Sequence, residues 1–187
     1  METGKIAVLQ VFSLIICLAA AGFWDLRIRR IPNWWIGLWY IAGFGLFIIG
    51  YGWTAAFGYL VRSVATVGIF FLFFLCRMMG AGDIKCMALI CGYLGFTSGF
   101  RVIGIGMLIG AGWSFAKLLY QKKLWERLSY LFAYFKQMFQ EQKIIPYYQP
   151  ERDGREITIP LACCFFCGLI VCVWTGFSYM RFIWLLG

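Results

Sequence analysis

The sequence contains no histidine and few charged residues. The lack of histidine excludes every site that uses an imidazole, including Ser–His and Cys–His nucleophilic pairs and histidine-ligated zinc. Only 13% of the residues are charged, which is about half the ~25% of an average globular protein, whereas 63% are hydrophobic. These proportions predict a helical membrane protein.

Six apolar segments can be expected to cross a bilayer, because ~20 residues at 1.5 Å each span its hydrocarbon core. The predicted spans are about Lys5–Trp24, Trp34–Tyr51, Ala56–Met78, Ile84–Phe96, Val102–Tyr120 and Ile157–Met180. The predicted fold class is therefore all-α, a polytopic bundle of about six transmembrane helices. We expect one integral-membrane domain over residues 1–187.

Positive charges alternate between the predicted loops. The first, third and fifth loops are rich in arginine and lysine, whereas the second and fourth have only Arg62 and Arg101 near them. The positive-inside rule then places the odd-numbered loops in the cytoplasm and both chain ends outside. The net charge of +9 is therefore explained by basic loops that contact anionic lipid headgroups. We expect the lipid bilayer to be a partner of the protein, and we expect no binding of nucleic acid.

The fifth loop, about 121–156, is long and has an apolar face. Large apolar side chains recur there at helical spacing: Leu124, Leu128, Leu131, Phe135 and Met138. This pattern predicts an amphipathic helix that lies in the membrane interface. The alternative is a simple continuation of the fifth span.

Eight cysteines are present, and most fall inside predicted spans. Cys164 and Cys167 have a Cys-x-x-Cys spacing, but no second pair in a loop completes a tetrahedral metal site. We therefore expect packing roles for the cysteines, and neither a metal nor another cofactor.

Two acids, Asp25 and Asp83, follow apolar segments closely. An acid at the edge of a bilayer is costly and indicates a functional site. Asp25 follows the first predicted span and Asp83 the third, so two crossings separate them and both should lie at the cytoplasmic face. If these two spans are neighbours, the carboxyl groups can meet.

Paired carboxyl groups suit peptide hydrolysis because the pair holds one proton. The ionised acid can take a proton from water, and the protonated acid can polarise the scissile carbonyl and supply the leaving amine. Gly80 and Gly82 would let an extended substrate approach Asp83. Lys85, two residues further on, would face away from Asp83 in a regular helix and can equally reach lipid phosphates.

Pro32 and Asn33 indicate the start of the second span, with Asn33 as a capping residue. Simpler roles for the acids remain open at this stage. Asp83 could merely cap the fourth helix, and Asp25 could be a solvated loop acid balanced by neighbouring arginines.

The two motifs together resemble the prepilin peptidase family of intramembrane aspartyl proteases. The residues that carry the likeness are Asp25-Leu26-Arg27, Arg29-Arg30-Ile31-Pro32-Asn33 and Gly80-x-Gly82-Asp83-x-Lys85. The sequence is most similar to the short forms associated with tight-adherence (Flp-type) pili.

The resemblance implies that Asp25 and Asp83 are the catalytic pair of an aspartic endopeptidase, with Lys85 matching the lysine of the family motif. The implied substrate is a prepilin, whose basic leader would be removed at the cytoplasmic face of the bacterial inner (plasma) membrane. Long-form relatives also methylate the new N-terminus and carry two Cys-x-x-Cys pairs ahead of the first motif. This sequence has no such segment ahead of Asp25, so we expect no methylation.

Three other functions fit parts of the pattern. A protease of the presenilin or signal-peptide-peptidase type would share the Gly-x-Gly-Asp motif, but its Tyr-Asp and Pro-Ala-Leu signatures are absent. A small transporter or proton-coupled channel could use both acids as ion or proton ligands. A non-catalytic assembly subunit would need them only as helix caps. The pilin, its cleavage position and the oligomeric state do not follow from the sequence.

Overall fold

The computed structural model describes residues 2–28, 30–76, 79–120 and 160–176, and these form five α-helices without a β-strand. The helices are α1 (Glu2–Ile28), α2 (Asn33–Tyr51), α3 (Trp53–Leu75), α4 (Ala81–Tyr120) and α5 (Leu161–Trp174). The predicted all-α class is thus confirmed for the described part of the chain. The predicted amphipathic helix at 121–156 lies outside it.

Helices α1 to α4 are each long and apolar enough to cross a membrane, and α5 is a shorter apolar helix. Successive helices pack on one another, and α5 packs on α1, so the helices form a closed ring. The count of about six spans stays a prediction. Helix α4 consists of two arms, which the sequence analysis counted as two spans.

A glycine breaks α4 into those two arms. Gly95 has φ 76° and ψ 171°, which is not helical. A Cβ at Gly99 would lie 2.8 Å from the Cα of Cys91, whereas eight residues of continuous helix rise about 12 Å. The chain therefore folds back at Gly95. The connection predicted between Phe96 and Val102 is helical instead, because one residue with positive φ suffices for the reversal.

The first arm of α4 is the centre of the bundle. Every residue from Cys86 to Leu94 is buried. Tyr93 fits against α2 because Gly43 has no side chain; a Cβ there would lie 2.7 Å from the tyrosine ring. Tyr93 also packs edge-on against Tyr59 of α3, with ring centroids 5.6 Å apart. The enclosing helices thus hold the arm that begins beside Asp83.

An arginine donates a hydrogen bond to a backbone carbonyl group at the C-terminal end of this arm. The last carbonyls of a helix have no partner within the helix, and Arg62 of α3 donates from Nη2 to the carbonyl oxygen of Gly92 at 3.2 Å. The Arg62 guanidinium also lies over the Phe47 ring, 5.7 Å from its centroid, within the ~6 Å range of a cation–π contact. Arg62 therefore has a structural role inside the bundle.

Helix α5 lies close to α1 and to the second arm of α4 through glycines. A Cβ at Gly168 would lie 2.8 Å from the amide nitrogen of Gly106, and a Cβ at Gly22 would lie 3.1 Å from the Cα of Cys163. Small residues at such crossings let helix backbones approach in a membrane. We call the end of the bundle where α1 and α3 finish and α2, α4 and α5 begin the acid end.

Candidate active site

Asp25 lies in the last turn of α1 and is half-buried. Its Oδ2 accepts a hydrogen bond from the backbone N–H of Ala162 at 3.1 Å. Ala162 is the second residue of α5, so a different helix holds this carboxyl group. The close approach of α1 and α5 at Gly22, one turn earlier, brings the two groups together.

Asp83 lies in the first turn of α4 and is also half-buried. Its Oδ2 accepts from the backbone N–H of Gly80 at 3.3 Å, while its own N–H donates to the carbonyl oxygen of Gly80 at 3.1 Å. Asp83 thus supplies one half of a capping box, whose other half is absent because Gly80 has no side chain to accept from the Asp83 N–H. Asp83 therefore does contribute to the helix start, as the simpler interpretation of the sequence predicts.

The two acids lie at the same end of the bundle, Asp25 in the last turn of α1 and Asp83 in the first turn of α4. A Cβ at Gly82 would lie 3.5 Å from Ile31, so the start of α4 lies against the segment that follows α1. Two carboxylates that share a site repel, and single protonation of such a pair is favoured. The structure thus places the two acids that the sequence singled out at one end of the bundle.

The side chain of Lys85 contacts the motif that contains Asp25 and Asn33. Its Nζ donates to Oδ1 of Asn33 at 2.9 Å, across 52 residues of sequence. The backbone carbonyl of Lys85 accepts from the hydroxyl of Tyr40 on α2 at 3.4 Å. These contacts attach the start of α4 to α2.

Pro32, and not Asn33, occupies the capping position of α2, and no side chain makes a capping hydrogen bond there. The capping role expected of Asn33 is therefore wrong. The carbonyl oxygen of Pro32 accepts from the amides of Trp35 and Ile36. The Asn33 side chain is instead the acceptor for Lys85.

The two motif glycines differ in their surroundings. A Cβ at Gly80 would lie 3.1 Å from Oδ2 of Asp83, whereas a Cβ at Gly82 would make ordinary contact with Ile31 at 3.5 Å. The absence of a side chain at Gly80 thus preserves space beside the carboxyl group. Gly82 packs the start of α4 against the segment that follows α1.

Tryptophan side chains pack between α1 and α2 beside Asp25. The Trp24 ring packs edge-on against Trp34 and Trp35 at centroid distances of 5.9 and 4.9 Å. The Trp35 indole also donates to the carbonyl oxygen of Cys17 at 3.3 Å. These contacts limit movement of the last turn of α1.

Sequence reasoning missed Ala162 and Tyr40. Ala162 acts through its backbone, which leaves no signature in the sequence. Tyr40 lies in an apolar span, where a tyrosine alone does not indicate a hydrogen bond. Pro160 occupies the capping position just before α5, which begins at Leu161.

Comparison with known families decides the family. The model of the type IV leader peptidase family matches residues 12–115, more than half of the 187-residue chain. The chain belongs to the type IV leader peptidase family. Comparisons with curated proteins and with solved structures found no significant match.

Family membership confirms the resemblance drawn from the two motifs. The matched region of this leader peptidase homologue contains Asp25, Asp83 and the hydrogen-bonded pair Asn33 and Lys85. The family and the apolar helices fit a membrane-embedded peptidase. Helix α5 lies beyond the match, although it contacts Asp25.

Proposed function

We propose that this protein is an intramembrane aspartyl endopeptidase that removes the basic leader from prepilin-like substrates. The observation that carries the proposal is the position of Asp25 in the last turn of α1 and of Asp83 in the first turn of α4, at the same end of the bundle. Membership of the type IV leader peptidase family supports the reaction class.

In the proposed mechanism, the two acids share one proton. The ionised carboxylate takes a proton from water as the water oxygen attacks the scissile carbonyl carbon, while the protonated acid donates a hydrogen bond to the carbonyl oxygen. Collapse of the tetrahedral intermediate breaks the C–N bond, and the leaving nitrogen takes a proton from the acid pair. Both products are then released and the pair again holds one proton.

Gly80, Gly82, Lys85, Pro32 and Asn33 support this site and do not take part in bond breaking. Gly80 keeps space beside Asp83 for a substrate backbone. The contact of Lys85 with Asn33 sets the position of α4 relative to α2, and Pro32 begins α2.

The reaction would take place at the cytoplasmic face of the bacterial plasma membrane. Arg27 and Arg30 flank the acid end, and the positive-inside rule assigns such residues to the cytoplasm. The substrate class is a prepilin, whose basic leader precedes an apolar helix. We expect no cofactor and no methylation of the new N-terminus.

Asp25→Asn and Asp83→Asn test the assignment directly. Coexpressed with a prepilin, each variant should lose processing by at least about 10²-fold, because each removes one of the two proton-transfer groups. The measurement is the size of the substrate on a gel, with insertion of the peptidase checked by membrane extraction. Glu2→Gln, the same chemical change at the other end of α1, should process normally.

Normal processing by either aspartate variant would refute the assignment. The same experiment addresses the alternative of a transporter or proton-coupled channel. That function predicts no cleavage by the unmodified protein, together with an ion or proton flux that depends on Asp25 and Asp83.

A further inference from the structure

The first turn of α5 contacts the active site from outside the matched region. The Ala162 amide donates to Asp25 Oδ2 at 3.1 Å. A Cβ at Gly22, one turn before Asp25, would lie 3.1 Å from the Cα of Cys163, the next residue of α5. The first turn of α5 therefore lies against the end of α1 that carries this acid.

Amides in the first turn of a helix are available as donors because the helix has no acceptor for them. In α5 the first helical hydrogen bond runs from the amide of Cys164 to the carbonyl oxygen of Pro160. The amide of Ala162 precedes that bond. The aligned peptide dipoles add a partial positive charge at this end of α5.

Asp25 needs such a donor because of where it lies in α1. Only two residues separate it from Ile28, the last residue of the helix. The negative end of the helix dipole disfavours a carboxylate there. Asp83, in contrast, lies at the favourable end of its own helix and accepts the amide of Gly80.

Close packing fixes the position of the α5 turn. Ala162 is fully buried. Gly22 lets the Cα of Cys163 approach α1, and Gly168 lets α5 approach Gly106 of α4. The donor to Asp25 is thus held by backbone contacts on two sides.

We propose that the Ala162 N–H is a positioning group of the catalytic site, which orients the Asp25 carboxyl group and stabilises its ionised form. This inference rests on the proposed peptidase function. It makes α5 part of the site, and Ala162 a positioning residue that acts through its backbone.

Replacing the Ala162 amide by an ester tests the proposal with almost no change in shape. The α-hydroxy analogue of alanine can be introduced at 162 by cell-free translation into lipid nanodiscs. Loss of a hydrogen bond to a charged group should lower kcat about tenfold and leave KM within about twofold. Matched esters at Leu161 and Cys163 alter neighbouring first-turn amides and should keep kcat within about twofold.

The pH profile separates positioning from mere loss of folded protein. A carboxylate that loses a donor retains its proton to higher pH, so the acid limb of the kcat profile should move up by about one pH unit. A smaller active fraction would lower kcat at every pH without moving this limb. The ionisable groups near Asp25 include Asp83 and the thiols of Cys86, Cys163 and Cys164, and thiols ordinarily titrate near pH ~8.5, well above the acid limb.

Ala162→Pro removes the same N–H by mutagenesis, and proline is tolerated in a first helical turn. Leu161→Pro is its control. Equal kcat and equal pH profiles for the three esters would overturn the role of Ala162. That outcome would leave the peptidase function standing, because the unmodified protein would still cleave prepilin. Failure of the unmodified protein to cleave would instead refute the proposed function itself.

Discussion

Asn33 and Lys85 connect the two sequence motifs through one hydrogen bond of 2.9 Å. Asn33 begins α2 and Lys85 lies two residues after Asp83. Movement of Lys85 would therefore move the start of α4 and its acid. The contact gives the motif lysine a physical role that does not require it to meet substrate.

Asn33→Ala and Lys85→Ala should each lower kcat/KM for prepilin cleavage about three- to tenfold, the usual range for one lost hydrogen bond. Because both changes break the same contact, kcat/KM of the double variant should be no lower than that of the less active single variant. The measurement is a double-mutant cycle on cleavage rates. Lys5→Ala, which removes a charge at the other end of α1, serves as the control, and additive losses in the cycle would contradict the proposed pairing.

The sequence revealed the side chains of this site but not its backbone donor. Asp25 and Asp83 were conspicuous because an acid beside apolar spans needs an explanation. The partner of Lys85 did not follow from spacing, because it lies 52 residues away. Ala162 was not predictable, since any residue except proline supplies the same N–H.

At the scale of single elements, the reversal inside α4 depends on Gly95. Its φ of 76° and ψ of 171° fall in a region that is essentially restricted to glycine. Gly95→Ala should therefore destabilise the fold by ~1–3 kcal/mol. The measurement is the midpoint of thermal unfolding in detergent, together with prepilin processing.

Gly104→Ala is the matched control for Gly95→Ala. Gly104 lies in the second arm of the same helix, and a Cβ there would meet nothing within 4 Å. This control should be neutral or slightly stabilising, because alanine is the better helix former. An equal midpoint for the two variants would contradict the strain assigned to Gly95.

The helices themselves followed from apolar length, but the place of the reversal in α4 did not. The prediction ended one span at Phe96 and began the next at Val102, with Arg101 in the loop between them. The structure keeps these residues helical and turns at Gly95 alone. Polarity indicates which residues can leave lipid, whereas the turn requires one residue with an unusual φ.

At the scale of the whole molecule, the arrangement of helices encloses the first arm of α4. Residues 86–94 are buried by protein on every side. An apolar segment has the same composition whether it faces lipid or other helices, so the sequence could not identify this arm as the central one. The enclosure matters for function because Asp83 lies in the first turn of this arm, so the packing of the arm fixes the position of the acid.

The orientation of the bundle is the remaining prediction at this scale. Both acids lie at the acid end, and the arginines beside α1 indicate that this end faces the cytoplasm. Single cysteines at Ile28 and Thr54, which are exposed at opposite ends of the described helices, can report the orientation. They are introduced after the eight native cysteines have been replaced by alanine.

A membrane-impermeant maleimide added to spheroplasts should label Thr54→Cys and spare Ile28→Cys, and inside-out vesicles should show the reverse. The physical reason is that translocating arginine-rich segments across the membrane is unfavourable, so the end bearing Arg27 and Arg30 stays inside. Retained prepilin processing by both cysteine variants is the control for correct folding. Labelling of Ile28→Cys from outside would place the acids at the outer face, where a leader that remains in the cytoplasm could not reach them.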